Sequence, residues 1–192
     1  MRTLMRRALT PLAVVLLAAC GGENDKTAET TEQAQPSSRT LAATLRAEAG
    51  FGTLGRIATN AGLAEVLDGV GPYTLFAPAD AAFPQDAAPA DVADQDRRAE
   101  SAALLRAHIV PGALTRQDIG DALDGDADGS VQMRTLANPL RTFSREGSAI
   151  VVTSETGARG RLTGEQRVAR NGVMQPVDAL LVQPAAPGTP AA

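Results

Sequence analysis

Apolar and polar residues follow two different periods along this chain, and the switch between them divides it. From Thr40 to Glu48, Leu41 and Leu45 recur at helical spacing, with Phe51 beyond on the same side. Leu54, Ile57 and Ala58 predict a second helix over Leu54–Asn60. Ala61-Gly62 interrupts it, and Leu63–Leu67 predicts a third. Asp91–Ile109 is the longest helical stretch, with Ala99, Ala102, Ala103, Leu105 and Ile109 mostly three or four apart, and Pro111-Gly112 ends it. After that the pattern turns extended. Val131–Leu136 and Ser148–Thr153 read as strands, and Leu162 and Val168 mark a third region. Asn171-Gly172 is a two-residue hairpin signal joining Arg167–Arg170 to Val173–Val182, and Pro176 should lie at an edge or bulge of that last strand. Helices followed by antiparallel strands predict an α+β domain.

Between the two regimes lies Thr-Leu-Phe-Ala-Pro-Ala-Asp-Ala-Ala-Phe, residues 74–83. Thr74, Leu75 and Phe76 are strand formers. Pro78 gives no ladder hydrogen bond and should stop the strand. Asp80 is placed to cap a helix beginning at about Ala81. Phe76 and Phe83 would anchor both arms of this corner in one core.

Flanking segments are built differently. Arg2, Arg6 and Arg7 precede a 12-residue, largely apolar run from Ala8 to Ala19, too short for a bilayer span of roughly 20 residues but suited to an export signal. The run ends Leu-Ala-Ala-Cys-Gly and resembles a bacterial lipobox, in which Cys20 would carry the lipid. The alternative is an ordinary signal peptide with an incidental cysteine. Gly21 is not the Asp associated with inner-membrane retention, which favours the outer membrane. Residues 20–39 hold almost nothing apolar and read as a disordered tether; residues 185–192 read as a disordered tail. The expected layout is thus signal peptide 1–19, tether 20–39, folded domain 40–184 and tail 185–192.

Composition narrows the functions. The net charge is −4, and loss of the three leader arginines would deepen it. That argues against nucleic acid and against electrostatic membrane binding. Cys20 is the sole cysteine, so no internal disulfide forms. With no Trp, four Phe and one Tyr, stacking on sugars has little support.

Candidate chemistry is sparse. His108 is the only histidine. Ser101, seven residues earlier on the same helical face, would stand about 10 Å away along the axis, outside hydrogen-bond reach. Remote Ser144, Ser148 and Ser154 stay open, but no Gly-x-Ser-x-Gly elbow is present. Residues 124–131 match the first eight positions of a calcium loop, with Asp124, Asp126 and Asp128 as ligands; Thr135 stands where the bidentate Glu belongs, leaving a weakened site or a plain acidic loop. No cofactor is called for.

With these elements placed, the chain resembles the fasciclin domain family. Residues 74–83 resemble the first family box, Leu104–Gly112 with Leu114-Thr115 and Asp118-Ile119 the central one, and Asn171–Met174 with Val177–Leu181 and Pro184 the closing one. Phe51–Leu54 and Ala61–Leu63 resemble the opening helices. The resemblance implies N-terminal helices packed on an antiparallel or mixed β wedge. It implies structural roles for Thr74, Phe76, Pro78, Asp80, Phe83, His108, Asn171, Gly172 and Asp178. Ala79 replaces the usual Thr, Ser or Asn. Ala107 replaces a Tyr linked to integrin adhesion in animal relatives, so that activity does not carry over. Gln175-Pro176 replaces a common His-Val pair. The resemblance implies a non-catalytic module for adhesion or envelope and matrix contacts; with the lipobox-like leader, the expectation is a lipid-anchored protein, periplasmic or at the cell surface. Its partner would be an envelope or extracellular protein or a polysaccharide. A periplasmic structural or stress role is the alternative, and a hydrolase comes third.

Overall fold

Helical spacing in the N-terminal half becomes four short helices. The structure is a computed structural model and describes residues 37–84 and 97–182. The leader, Cys20, the tether up to residue 36, residues 91–96 of the expected long helix, Pro184 and the tail lie outside the described residues. Helix α1 (Leu41–Ala47) starts at Thr40, whose hydroxyl accepts the Ala43 N–H at 3.2 Å and donates to Asp68. Helix α2 spans Gly52–Asn60 and α3 Ala64–Asp68. The expected Asp91–Ile109 helix is shorter among the described residues. Helix α4 covers Arg98–Arg106, and Ile109 begins strand β2 (Ile109–Pro111). Ile109 falls on the helical period, but strand pairing decides its conformation: β2 runs antiparallel to β1, with Thr74 opposite Val110.

Strand β1 (Tyr73–Pro78) ends at Pro78, as expected. It pairs in parallel with β8 (Gly172–Val177), Phe76 opposite Gln175 and Pro78 opposite Val177. Strand β7 (Arg167–Ala169) completes a mixed sheet in the order β2-β1-β8-β7. The turn into β8 sits one residue earlier than expected, on Arg170-Asn171 rather than Asn171-Gly172, since Ala169 faces Gly172. The last strand ends at Val177, where Asp178 turns the chain away. Pro176 lies inside this sheet but beyond the end of β7. Its carbonyl accepts the Thr163 N–H, so its nitrogen faces that side and breaks no bond to β1.

A second sheet is an antiparallel meander of β3 (Ser130–Arg134), β4 (Leu140–Glu146), β5 (Ala149–Ser154) and β6 (Arg159–Arg161). Helix α5 (Arg116–Gly125) precedes it, started by a reciprocal cap between Thr115 and Asp118. The hydrophobic pattern marks neither α5 nor β4. Strand β4 was hidden because Arg141 occupies one of its buried positions and spoils the apolar alternation.

Alternation along β1 separates two cores. Leu75 and Ala77 face the helices, with Leu41, Leu54, Ile57, Leu105 and Met174. Phe76 faces the other way, into a core with Ile119, Phe143, Val152 and Val177, its ring 5.3 Å from that of Phe143. Phe83 belongs to the helix-side core. The two aromatics of the 74–83 corner therefore anchor separate cores, a correction that follows from the two-residue period of a strand.

Candidate functional site

The 74–83 corner is built for support. A 3₁₀ turn over Asp80–Ala82 follows β1, and no side chain caps it. The Asp80 carboxylate instead accepts the N–H groups of Thr53 at 2.8 Å and Gly52 at 3.2 Å. It thus caps α2, a helix that has no cap of its own, rather than the local helix the sequence suggested. Partial burial pushes the Asp80 carboxyl up, but the bonds from Thr53 and Gly52 and the charge of Arg56 outweigh it and hold the pKa below the ordinary value. Thr74 ties β1 to the next loop: its hydroxyl donates to Gly112 O at 2.7 Å and accepts the Leu114 N–H at 2.8 Å.

Other box residues are also consumed by backbone. Asn171 accepts the Leu41 N–H at 2.8 Å and donates to Leu67 O at 2.9 Å and Gly69 O at 2.7 Å, joining the start of α1 to the end of α3. Asp178 accepts the Arg161 N–H at 2.7 Å. Gln175 donates to Leu114 O at 3.1 Å.

His108 is fully buried. Its Nε2 accepts the Leu181 N–H at 3.0 Å, which leaves the proton on Nδ1, 2.8 Å from Leu104 O. Both ring nitrogens are occupied by backbone, and no serine is among their hydrogen-bond partners. Burial lowers its pKa from 6.5 to about 4; the Arg141 charge adds to this, and the bond to Leu104 opposes it. Arg141 is the residue that sequence reasoning missed. It is buried, donates to Ala107 O at 3.0 Å and Leu140 O at 3.1 Å, and so holds the end of α4 against β4. No sequence signal marks it apart from its place in a strand that it disguises.

The acidic loop does not gather its carboxylates. Asp124 lies in α5 and pairs with Arg145 at 3.0 Å. Asp126 accepts the N–H groups of Asp128 and Ser130, at 3.0 and 3.3 Å, and so closes its own turn. Among the described residues no cluster of three or more His, Cys, Asp or Glu is placed to hold a metal ion.

An open concavity lies elsewhere, along the seam of α1 and α2. This open groove holds about 500 Å³. Leu45 and Phe51 line its apolar floor, and Arg46 and Arg56 rise at its rim. Gly55 lies in its wall; a methyl group there would meet nothing within 4 Å. Glu48, its one carboxylate, is drawn to Arg167 at 3.0 Å. Sequence patterning missed this groove, because a glycine within a helix and two exposed arginines carry no periodic signal.

Comparison with known proteins gives a consistent picture. A model of the fasciclin domain matches residues 49–183. Protein sll1483 of Synechocystis sp. is 26% identical over 164 residues, which cover 83% of this chain and 82% of that protein. Among solved structures, a FAS1 domain pair from the insect cell adhesion molecule fasciclin I superposes with a TM-score of 0.65 at 15% identity. The match covers 77% of this chain and 52% of that one, so the chain spans about half the length of the pair.

Proposed function

Since the chain belongs to the fasciclin domain family, whose members are generally adhesion or binding modules, we propose that it is a non-catalytic binding module of the bacterial envelope, held by a lipid on Cys20 and engaging its partner through the α1–α2 groove. The observation that carries this reading is the contrast between the two places where chemistry could reside. His108 is buried with both nitrogens on backbone, whereas the groove is open, apolar at its floor and charged at its rim. Concave, mostly apolar sites with a few polar groups are where partners bind. The lipobox-like Leu-Ala-Ala-Cys supports the anchor, and the polar tether would hold the domain away from the bilayer.

The groove is tested by photo-cross-linking in intact cells. A photoreactive side chain at Thr59, in the groove, should capture an envelope component, and the same group at exposed Gln132 on β3 should not. Equal capture at both positions, or none at Thr59, would defeat the groove as the contact surface. The anchor is tested separately. The Cys20→Ser chain should leave the membrane fraction; if it sediments with membranes as the native chain does, the lipid assignment is wrong.

A further inference from the structure

We propose that the groove between α1 and α2 recognises an acidic peptide segment in which carboxylates alternate with apolar side chains. This rests on the binding-module reading and goes further by naming the ligand class. The argument begins with charge. The chain is acidic overall, yet the groove rim carries two guanidinium groups, Arg46 and Arg56. Neither forms an ion pair among the described residues. Arg56 makes one long contact, to the Thr53 hydroxyl at 3.4 Å. The carboxylate of Asp80 feels its charge but is held by backbone amides. Glu48 is neutralised by Arg167. The rim therefore presents two positive charges with no carboxylate in ion-pair contact, which suits an anionic partner.

The floor sets the rest of the ligand. It is lined by Leu45 and Phe51, and the missing side chain at Gly55 opens it further. A purely anionic chain would leave this apolar surface wet. An acidic saccharide would meet one nearly buried aromatic edge and few side-chain donors besides the arginines, Thr59 and Asn60. A peptide with alternating Leu-like and Glu-like residues fills the floor and reaches both arginines, because successive side chains of an extended chain point to opposite sides.

The experiment is fluorescence anisotropy of a fluorescein-labelled decapeptide of alternating Leu and Glu, titrated with the detergent-solubilised full chain. Saturable binding is expected, about tenfold tighter than to deca-glutamate and about tenfold weaker in the Arg46→Glu/Arg56→Glu chain. That double variant should instead take up an alternating Leu-Lys peptide. Both arginines are exposed, so the fold is retained, and matched melting curves check this. Deca-glutamate or oligogalacturonate binding as tightly as the Leu-Glu peptide would overturn the proposal, as would Leu-Glu binding that is indifferent to the charge reversal. If Thr59 still cross-links an envelope component while the Leu-Glu peptide fails to bind, the ligand class is wrong and the groove reading stands. If neither occurs, both fall.

Discussion

His108 shows how a family residue can serve the fold. Its neutral ring bridges Leu104 O and the Leu181 N–H inside the protein, and burial keeps it neutral down to about pH 4. The unfolded chain takes up the same proton at about 6.5. Between those values the unfolded state binds more protons, so acidification favours unfolding. Stability from this residue is complete above about pH 6.5 and drains away as the pH falls to 4, by about 3 kcal/mol in all. Urea titrations across that window should show the slope, and His108→Gln should flatten it. Asp80 acts in a lower window. Its folded pKa is depressed, so its contribution is present above its unfolded value of 3.8 and is lost below it. Asp80→Ala, which uncaps α2, should cost about 1 kcal/mol at neutral pH, read as a lower denaturation midpoint. The sequence picked out both residues, but not their work. Asp80 looked like a cap for its own turn because the helix it serves lies 27 residues earlier.

At the scale of elements, local pattern succeeded where an element packs on one face and failed where pairing decides. The strands Ala149–Ser154 and Ser130–Arg134 and the helices α1 to α3 lie close to where alternation or helical spacing puts them. Ile109 reads as the end of a helix but begins β2, because that strand owes its form to a partner distant in sequence. The junction of β1 with β8 explains the glycine of the closing box. A Cβ on Gly172 would sit 1.9 Å from Tyr73 O and 2.8 Å from the Leu41 side chain. Gly172→Ala should therefore destabilise the protein by about 3 kcal/mol. Gly55→Ala is the opposite case: the site is open and helical, and the change should gain up to about 1 kcal/mol. Paired thermal melts of the two variants would show shifts of opposite sign.

For the molecule as a whole, most residues of the three boxes are turned inward, and the candidate surface lies away from those boxes. Box residues Thr74, Asp80, His108, Asn171 and Asp178 bond to backbone and lock helices to sheets. Of the groove's lining, the family resemblance touched Phe51 and Gly52 but not Arg46, Gly55 or Arg56. Fold class could therefore be read from the sequence, and the candidate site could not. The central claim is that the α1–α2 groove is the binding surface, and Gly55→Trp tests it most directly. Tryptophan is the better helix former and would fill the groove without meeting protein atoms at Cβ. The measurement is the fraction of detergent-solubilised full chain retained on immobilised envelope extract, at matched melting temperature. The account predicts retention of the native chain and its loss in Gly55→Trp; equal retention of both would contradict it.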